Sequence, residues 1–273
     1  MKPVIASYWW QPDAGSKFAH PYTGDDVRRL QKMVAKHCTV PHQFAVITDQ
    51  VDEFEYDHDI RAIPIDWATH VPGTCYVRLM TFHPEGRERI GEQVLVIDLD
   101  SLIVGNIDHL VTRPESIVLW RNPGRLPWAD VSDEDRMARF GCLEKSICEI
   151  DGAKKTYLIN QLRPYYNTSV VFHRPGSHPD IWHDFIAWKD SGRLPAKDDQ
   201  WYLSDLFGMM APYFDGERDG VYRLARTDTP GSGIDGELPP HACIVTFPGS
   251  HGKPGDPAVL AANPWLEAHL CLT

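Results

Sequence analysis

Residues 94 to 105 read VLVIDLDSLIVG, an apolar run interrupted by two carboxylates, Asp98 and Asp100. Val94, Leu95, Val96 and Ile97 carry no polar side chain, and three of the four are β-branched. Such a run predicts a strand covered on both faces, as in the centre of an α/β sheet. Acids at the carboxyl end of that strand emerge at the sheet edge where open α/β folds bind ligands. Two like charges so close repel each other unless a cation or a proton lies between them. The stretch therefore asks for a metal ion.

The flanking sequence supplies the rest of such a sheet. Val4 to Trp9 (VIASYW) reads as a first buried strand, followed by a loop through Pro21. Thr23 with Asp26 resembles a capping box, and Val27, Leu30 and Val34 then recur at helical spacing up to about Lys36. Phe44 to Ile47 is a second strand ending in Thr48 and Asp49, so β-α-β is complete within 50 residues, the start of a Rossmann-like half. Tyr76 to His83 reads as helical, Ser116 to Trp120 and Asn167 to Phe172 as strands, and Ala242 to Phe247 as the last strand. His178 to Lys189 and Asp199 to Phe207 have apolar residues at spacings of three and four, which predicts two helices. Residues 121 to 163 are polar and rich in turn formers and read as an insertion bearing helices. No linker or internal repeat divides the chain, so residues 1 to 273 read as a single domain.

Composition narrows the partners. A net charge of −11 without a basic stripe argues against binding nucleic acid through its phosphates. No window approaches the 18 or so apolar residues needed to span a bilayer, and the start MKPVIASYWW lacks the apolar core of a secretory signal, so a cytoplasmic protein is expected. The six cysteines form no CxxC pair, which suggests reduced thiols rather than a disulfide framework or a zinc site.

Five stretches, taken in order, resemble the GT-A nucleotide-sugar glycosyltransferases, and within them glycosyltransferase family eight, the glycogenin-like and lipopolysaccharide galactosyltransferase-like enzymes. They are the Val4 to Lys36 unit, the Phe44 to Asp49 strand, the DxD of Asp98 and Asp100, the YYNTSVVFHRPG segment, and Asp198-Asp199-Gln200 followed later by HGKP. The resemblance implies a single α/β GT-A domain with a mixed, mainly parallel central sheet flanked by helices. It implies transfer of a hexose from a nucleotide diphosphate-sugar, with UDP expected, to a sugar, lipid-linked or protein acceptor, with retention of configuration.

The family's roles, carried over residue by residue, put Mn²⁺ or Mg²⁺ on Asp98, Asp100 and His251, with Asp98 shared with the ribose. Lys253 would bind phosphate, and Arg78 would face the donor sugar or diphosphate. Asn167 would lie near that sugar and Asp199 and Gln200 beneath it, while Ser7, Tyr8 and Asp49 would hold uracil and ribose. Read alone, these residues have plainer roles: a solvated loop cation for Lys253, a surface charge for Arg78, a turn former for Asn167 and a helix N-cap for Asp199.

The chain departs from the family's terminal His-x-x-Gly-x-x-Lys-Pro-Trp. His251 stands two residues before Lys253 rather than six, Phe247 occupies the expected histidine position, and Gly255 follows Pro254. Two other readings of the DxD are a haloacid dehalogenase-like phosphatase with Asp98 as nucleophile, and a GT-A domain that binds nucleotide or glycan without catalysis. The phosphatase motif continues with a Thr or Val, and Ser101 and Leu102 follow the second acid here. Trp120 and Trp128, beside the polar segment, hint at where an acceptor would lie.

Overall fold

The computed structural model of the chain describes residues 2–11, 22–65, 75–122, 166–191, 198–207, 210–224, 233–234, 236–247 and 253–270. Nearly all of the polar insertion, the loop through Pro21, Trp128 and His251 lie outside the described residues. A seven-stranded sheet forms the centre. Its strands are β1 (Val4–Trp9), β2 (Gln43–Thr48), β3 (Arg61–Pro64), β4 (Val94–Ile97), β6 (Ile117–Arg121), β7 (Tyr166–His173) and β8 (Tyr213–Phe214), in the order β3-β2-β1-β4-β7-β6-β8. Every neighbouring pair is parallel except those made by β7, which runs against both β4 and β6. The sheet is thus mixed and mainly parallel, as the sequence predicts. A second sheet joins β5 (Leu102–Ile103), β10 (Ile244–Thr246) and β9 (Val221–Arg223).

Side chains on successive strand positions point to opposite faces, and here both faces are apolar. Ile5, Leu95, Ile97 and Phe172 pack beneath the helix α1 (Gly24–His37) and the small sheet. Ala6, Val94, Val96 and Val171 pack against Cys75–Phe82 and the helices α2 (Pro179–Asp190) and α3 (Asp199–Phe207). That double burial is why β4 reads as an unbroken apolar run. The Asp26 carboxylate accepts the Thr23 backbone N–H at 2.9 Å and starts α1 where the sequence places its cap.

Two expectations are corrected. Tyr76 to His83 reads as a helix, and the segment forms a 3₁₀ helix over Cys75–Phe82. The Arg78 carbonyl accepts hydrogen bonds from the Tyr8 hydroxyl at 3.2 Å and the Thr81 hydroxyl at 3.1 Å. Trp120 is core rather than acceptor surface: it is 1% exposed and donates its indole N–H to the Val221 carbonyl. Strands β3, β8 and β9 escape the sequence reading because each is short and β3 carries Arg61 and Pro64. The cysteines within the described residues, Cys38, Cys75 and Cys243, are free and buried, as expected of reduced thiols. Among the described residues no helix is long and apolar enough to cross a membrane.

His173 closes β7 with no exposed surface, its ring 4.8 Å from Phe82. Burial lowers its pKa from 6.5 to about 3. A folded-state pKa below the unfolded value gives stability that is complete above pH 6.5 and is lost as the pH falls toward 3. Urea unfolding at pH 7.5 and 5.0 should therefore show the wild type losing about 2 kcal/mol more than His173→Phe, since each pH unit below 6.5 costs about 1.4 kcal/mol. Parallel losses in both proteins would contradict it.

Candidate active site

The carboxyl ends of β1, β2 and β4 and the beginning of the antiparallel β7 share one edge of the sheet. The Asp98-Leu99-Asp100 turn leaves β4 at this edge and is fixed from three sides. The Asp98 backbone N–H donates to the Ser169 carbonyl at 2.9 Å, the Ser101 N–H donates to the Asp98 carbonyl at 3.0 Å, and Arg29 of α1 donates to the Leu99 carbonyl at 3.0 Å. Neither acid is free to swing with its backbone.

Arg78 occupies the centre. Its Nη1 donates to the Thr168 hydroxyl at 2.8 Å and lies 3.4 Å from Asp98 Oδ2 and 3.6 Å from Asp199 Oδ2. One guanidinium thus serves acids from two elements, β4 and the first residue of α3. Asp199 has no exposed surface, while Asp98 keeps one-fifth of its side chain open (20%). Burial pushes both carboxyls up to about 6, against the pull of Arg78, and the neighbouring Asp100 charge adds to the rise at Asp98. The Arg78 side chain is itself enclosed, and its two acid partners hold its pKa well above the usual guanidinium value despite that burial.

Asp100 belongs to a second cluster. Its Oδ2 accepts the Tyr22 hydroxyl at 3.0 Å and the Lys253 ammonium at 2.6 Å, and Lys253 also donates to the Tyr22 hydroxyl at 2.6 Å. Burial, with the charges of Asp100 and Asp98, holds the Tyr22 hydroxyl protonated far beyond its ordinary range. Asp98, Asp100 and Asp199 face Arg78 and Lys253, which leaves these five groups with one excess negative charge.

The other expected residues lie around these clusters. Tyr8 reaches the site through the Arg78 carbonyl, and Asp49, exposed past β2, accepts the Gln11 N–H at 3.2 and 3.1 Å. Ser7 has no exposed surface within β1. Asn167 turns its side-chain oxygen onto the Ser169 N–H at 2.7 Å, and Gln200 is half-buried in the first turn of α3. Two contributors escape the sequence reading. Thr168 lies beside Asn167 in the quoted NTSVV, and Tyr22 directly precedes the capping Thr23, where it reads as helix entry.

Carboxylate oxygens suit Mg²⁺ and Mn²⁺. Among the described residues no group of three or more His, Cys, Asp and Glu side chains converges. Asp98 and Asp100 could supply oxygens to such a cation, with ligand phosphates as further donors in the manner common for Mg²⁺.

No family model and no curated protein matches the chain. Solved structures do. The galactosyltransferase LgtC in complex with donor and acceptor sugar analogues is 16% identical, with a TM-score of 0.55 over 98% of this chain and 95% of that one. The apo-form glycosyltransferase GlyE of Streptococcus pneumoniae TIGR4 is 10% identical at a TM-score of 0.54, over 100% of this chain and 61% of that one. The bifunctional WbbM is 11% identical at 0.54, over 100% of this chain and 50% of its own. The chain has the fold of these proteins, and the expected α/β GT-A sheet is the one observed.

Removing Arg78 would leave two acids unpaired, and breaking a buried ion pair by deleting one partner costs about 3 to 5 kcal/mol. Arg78→Met should be destabilised by that order near pH 7.5, and the deficit should shrink as the pH falls through the region where Asp98 and Asp199 take up protons. Arg78 holds both carboxyls down in the wild type, so without it they take up protons at higher pH, and protonation recovers part of the variant's loss. A deficit independent of pH between 7.5 and 5 would contradict the arrangement.

Proposed function

We propose that this chain is a glycosyltransferase that moves a hexose from a UDP-sugar, with Mn²⁺ or Mg²⁺ and with retention of configuration. The carrying observation is the cluster at the carboxyl edge of β4, where Asp98, Asp100 and Asp199 face Arg78 and Lys253 and one negative charge is left over. A diphosphate adds further negative charge to such a site, which a divalent cation held by the acids would offset. The similarity in fold to LgtC, whose structure contains donor and acceptor sugar analogues, supports the same reading.

In this reading Asp98 and Asp100 hold the cation, and the Lys253 ammonium takes a phosphate oxygen. The bound metal acts as a Lewis acid on the leaving diphosphate. Arg78 and Lys253 stabilise the charge that grows on the nucleotide as the glycosidic bond breaks. Asp49 and Tyr8 mark the uracil and ribose side, and Asn167 and Gln200 the sugar side. Asp199 is fully enclosed and paired with Arg78, which speaks against its acting as a covalent nucleophile and favours front-face displacement. The acceptor is a sugar, a lipid-linked glycan or a protein.

A second reading, a GT-A domain that binds nucleotide or glycan without transferring it, draws on one observation. Phe247, at the position where the family has a metal-binding histidine, is core, 5% exposed and packed in the cluster beneath α1. The phosphatase reading fits less well, because Asp98 follows the fourth strand of the chain and its carboxylate is engaged by Arg78.

A thermal-shift panel of UDP, GDP, ADP and CMP, each with and without Mn²⁺, tests the proposal. A ligand at a hundred times its Kd stabilises by about 2.7 kcal/mol, a rise of about 5 to 11 °C for a chain of this size. UDP with Mn²⁺ should give that rise, and Asp100→Asn should abolish the Mn²⁺-dependent part while still folding. Equal responses to all four nucleotides, or an unchanged Mn²⁺ effect in Asp100→Asn, would contradict it.

A further inference from the structure

Asp100, one of the two acids that would hold a divalent cation, already carries two donors on Oδ2. Lys253 Nζ and the Tyr22 hydroxyl both reach Oδ2, at 2.6 and 3.0 Å, and Lys253 is bound in turn to the Tyr22 oxygen at 2.6 Å. The three groups close a triangle. The ammonium also lies 5.1 Å from the centre of the Tyr22 ring, within range of a cation–π contact. Tyr22 is anchored from behind, because the Trp9 indole N–H donates to its backbone carbonyl at 2.9 Å and Trp9 packs edge-on against Phe54. The hydroxyl is therefore presented to Asp100 by a fixed piece of the core, whereas Lys253 reaches the same oxygen on a long flexible stem with 29% of its side chain exposed.

We propose that Tyr22 and Lys253 form a lock on Asp100 that a diphosphate opens. This rests on the reading of Asp98 and Asp100 as the seat of a divalent cation. In the ligand-free chain the ammonium neutralises Asp100, so a metal ion arriving alone must either displace that ammonium or bind beside it against its repulsion. A diphosphate offers the ammonium more negative oxygens than one carboxylate does. When Lys253 transfers to the phosphate, Asp100 is released, the two positive charges are separated by anionic oxygens, and the seat is open. Tyr22 keeps its hydrogen bond to Asp100 and holds the carboxylate in place during the exchange. Metal and nucleotide consequently bind together, each raising the affinity of the other by the same factor, and the metal alone binds weakly. The lock thus couples the metal to the presence of donor through residues from opposite ends of the sequence, 231 positions apart.

Mn²⁺ binding followed by the EPR signal of the free ion, with and without UDP, tests the lock. In the wild type, UDP should raise Mn²⁺ affinity at least tenfold. Lys253→Met should raise the affinity for Mn²⁺ alone by about tenfold, the scale of one exposed ion pair with its attendant repulsion, and should lower the affinity for UDP. Opposite signs for the two ligands are the signature, since a general loss of structure would weaken both. Tyr22→Phe should give a smaller rise for Mn²⁺ alone with UDP affinity retained, and Lys253→Arg should stay near the wild type for Mn²⁺ alone. If Mn²⁺ alone binds Lys253→Met no more tightly than the wild type, while UDP still promotes Mn²⁺ binding, the lock is wrong and the metal site stands. If Mn²⁺ binds none of these proteins, with or without UDP, both the lock and the metal-dependent reading fall.

Discussion

The carboxylates at the end of β4 are tolerable only because cations are placed against them, and much of the surrounding structure serves that placement. Arg78 is the pivotal one. It sits between Asp98 and Asp199 and is itself fixed by Thr168. Desolvation penalises every charge in the group, so each must find a partner or lose its charge. The 3₁₀ segment Cys75–Phe82 gives Arg78 its position: the Arg78 carbonyl is taken by Tyr8 and Thr81, while the guanidinium turns to the acids. Backbone irregularity and buried charge are one feature here.

The sheet then decides which chemistry the charges can perform. Parallel strands β1, β2 and β4 bring their carboxyl ends to one edge, and the antiparallel β7 begins at that same edge with Asn167, Thr168 and Ser169. Helix α3 opens there with Asp199, where a helix N-terminus favours a negative charge. The site draws on stretches from Tyr8 to Lys253, so no single element supplies it. Of the five central charges three are negative, and the proposed binding of a cation and of phosphates rests on that imbalance.

The strands and helices were legible where burial imposed a period or an unbroken apolar run. Val4–Trp9, Val94–Ile97 and Asp199–Phe207 have the bounds that the sequence predicts, and β2, β7, α1 and α2 lie within a residue or so of them. The short strands β3, β8 and β9 were not legible, because two to four residues carry too little pattern and their pairing is decided by the sheet around them. The acids Asp98 and Asp100 stood out as charges where apolar residues were expected, and Asp199, Arg78 and Lys253 through the family resemblance. Tyr22 and Thr168 gave no such signal. A tyrosine before a helix cap and a threonine in a strand are ordinary in sequence, and their importance comes only from the charged groups that folding sets beside them. Trp120 shows the reverse error, since a tryptophan next to a polar segment suggested a sugar platform and turned out to be core.

We propose that this edge of the sheet holds the diphosphate of a nucleotide-sugar and helps it to leave. Proton NMR of the chain with Mn²⁺ and UDP-hexoses, followed over hours without any added acceptor, addresses that claim directly. Water should take the place of the missing acceptor, releasing UDP and a free hexose whose first anomer has the configuration of the donor. Failure to release UDP from any UDP-hexose, or release of inorganic phosphate instead, would contradict it.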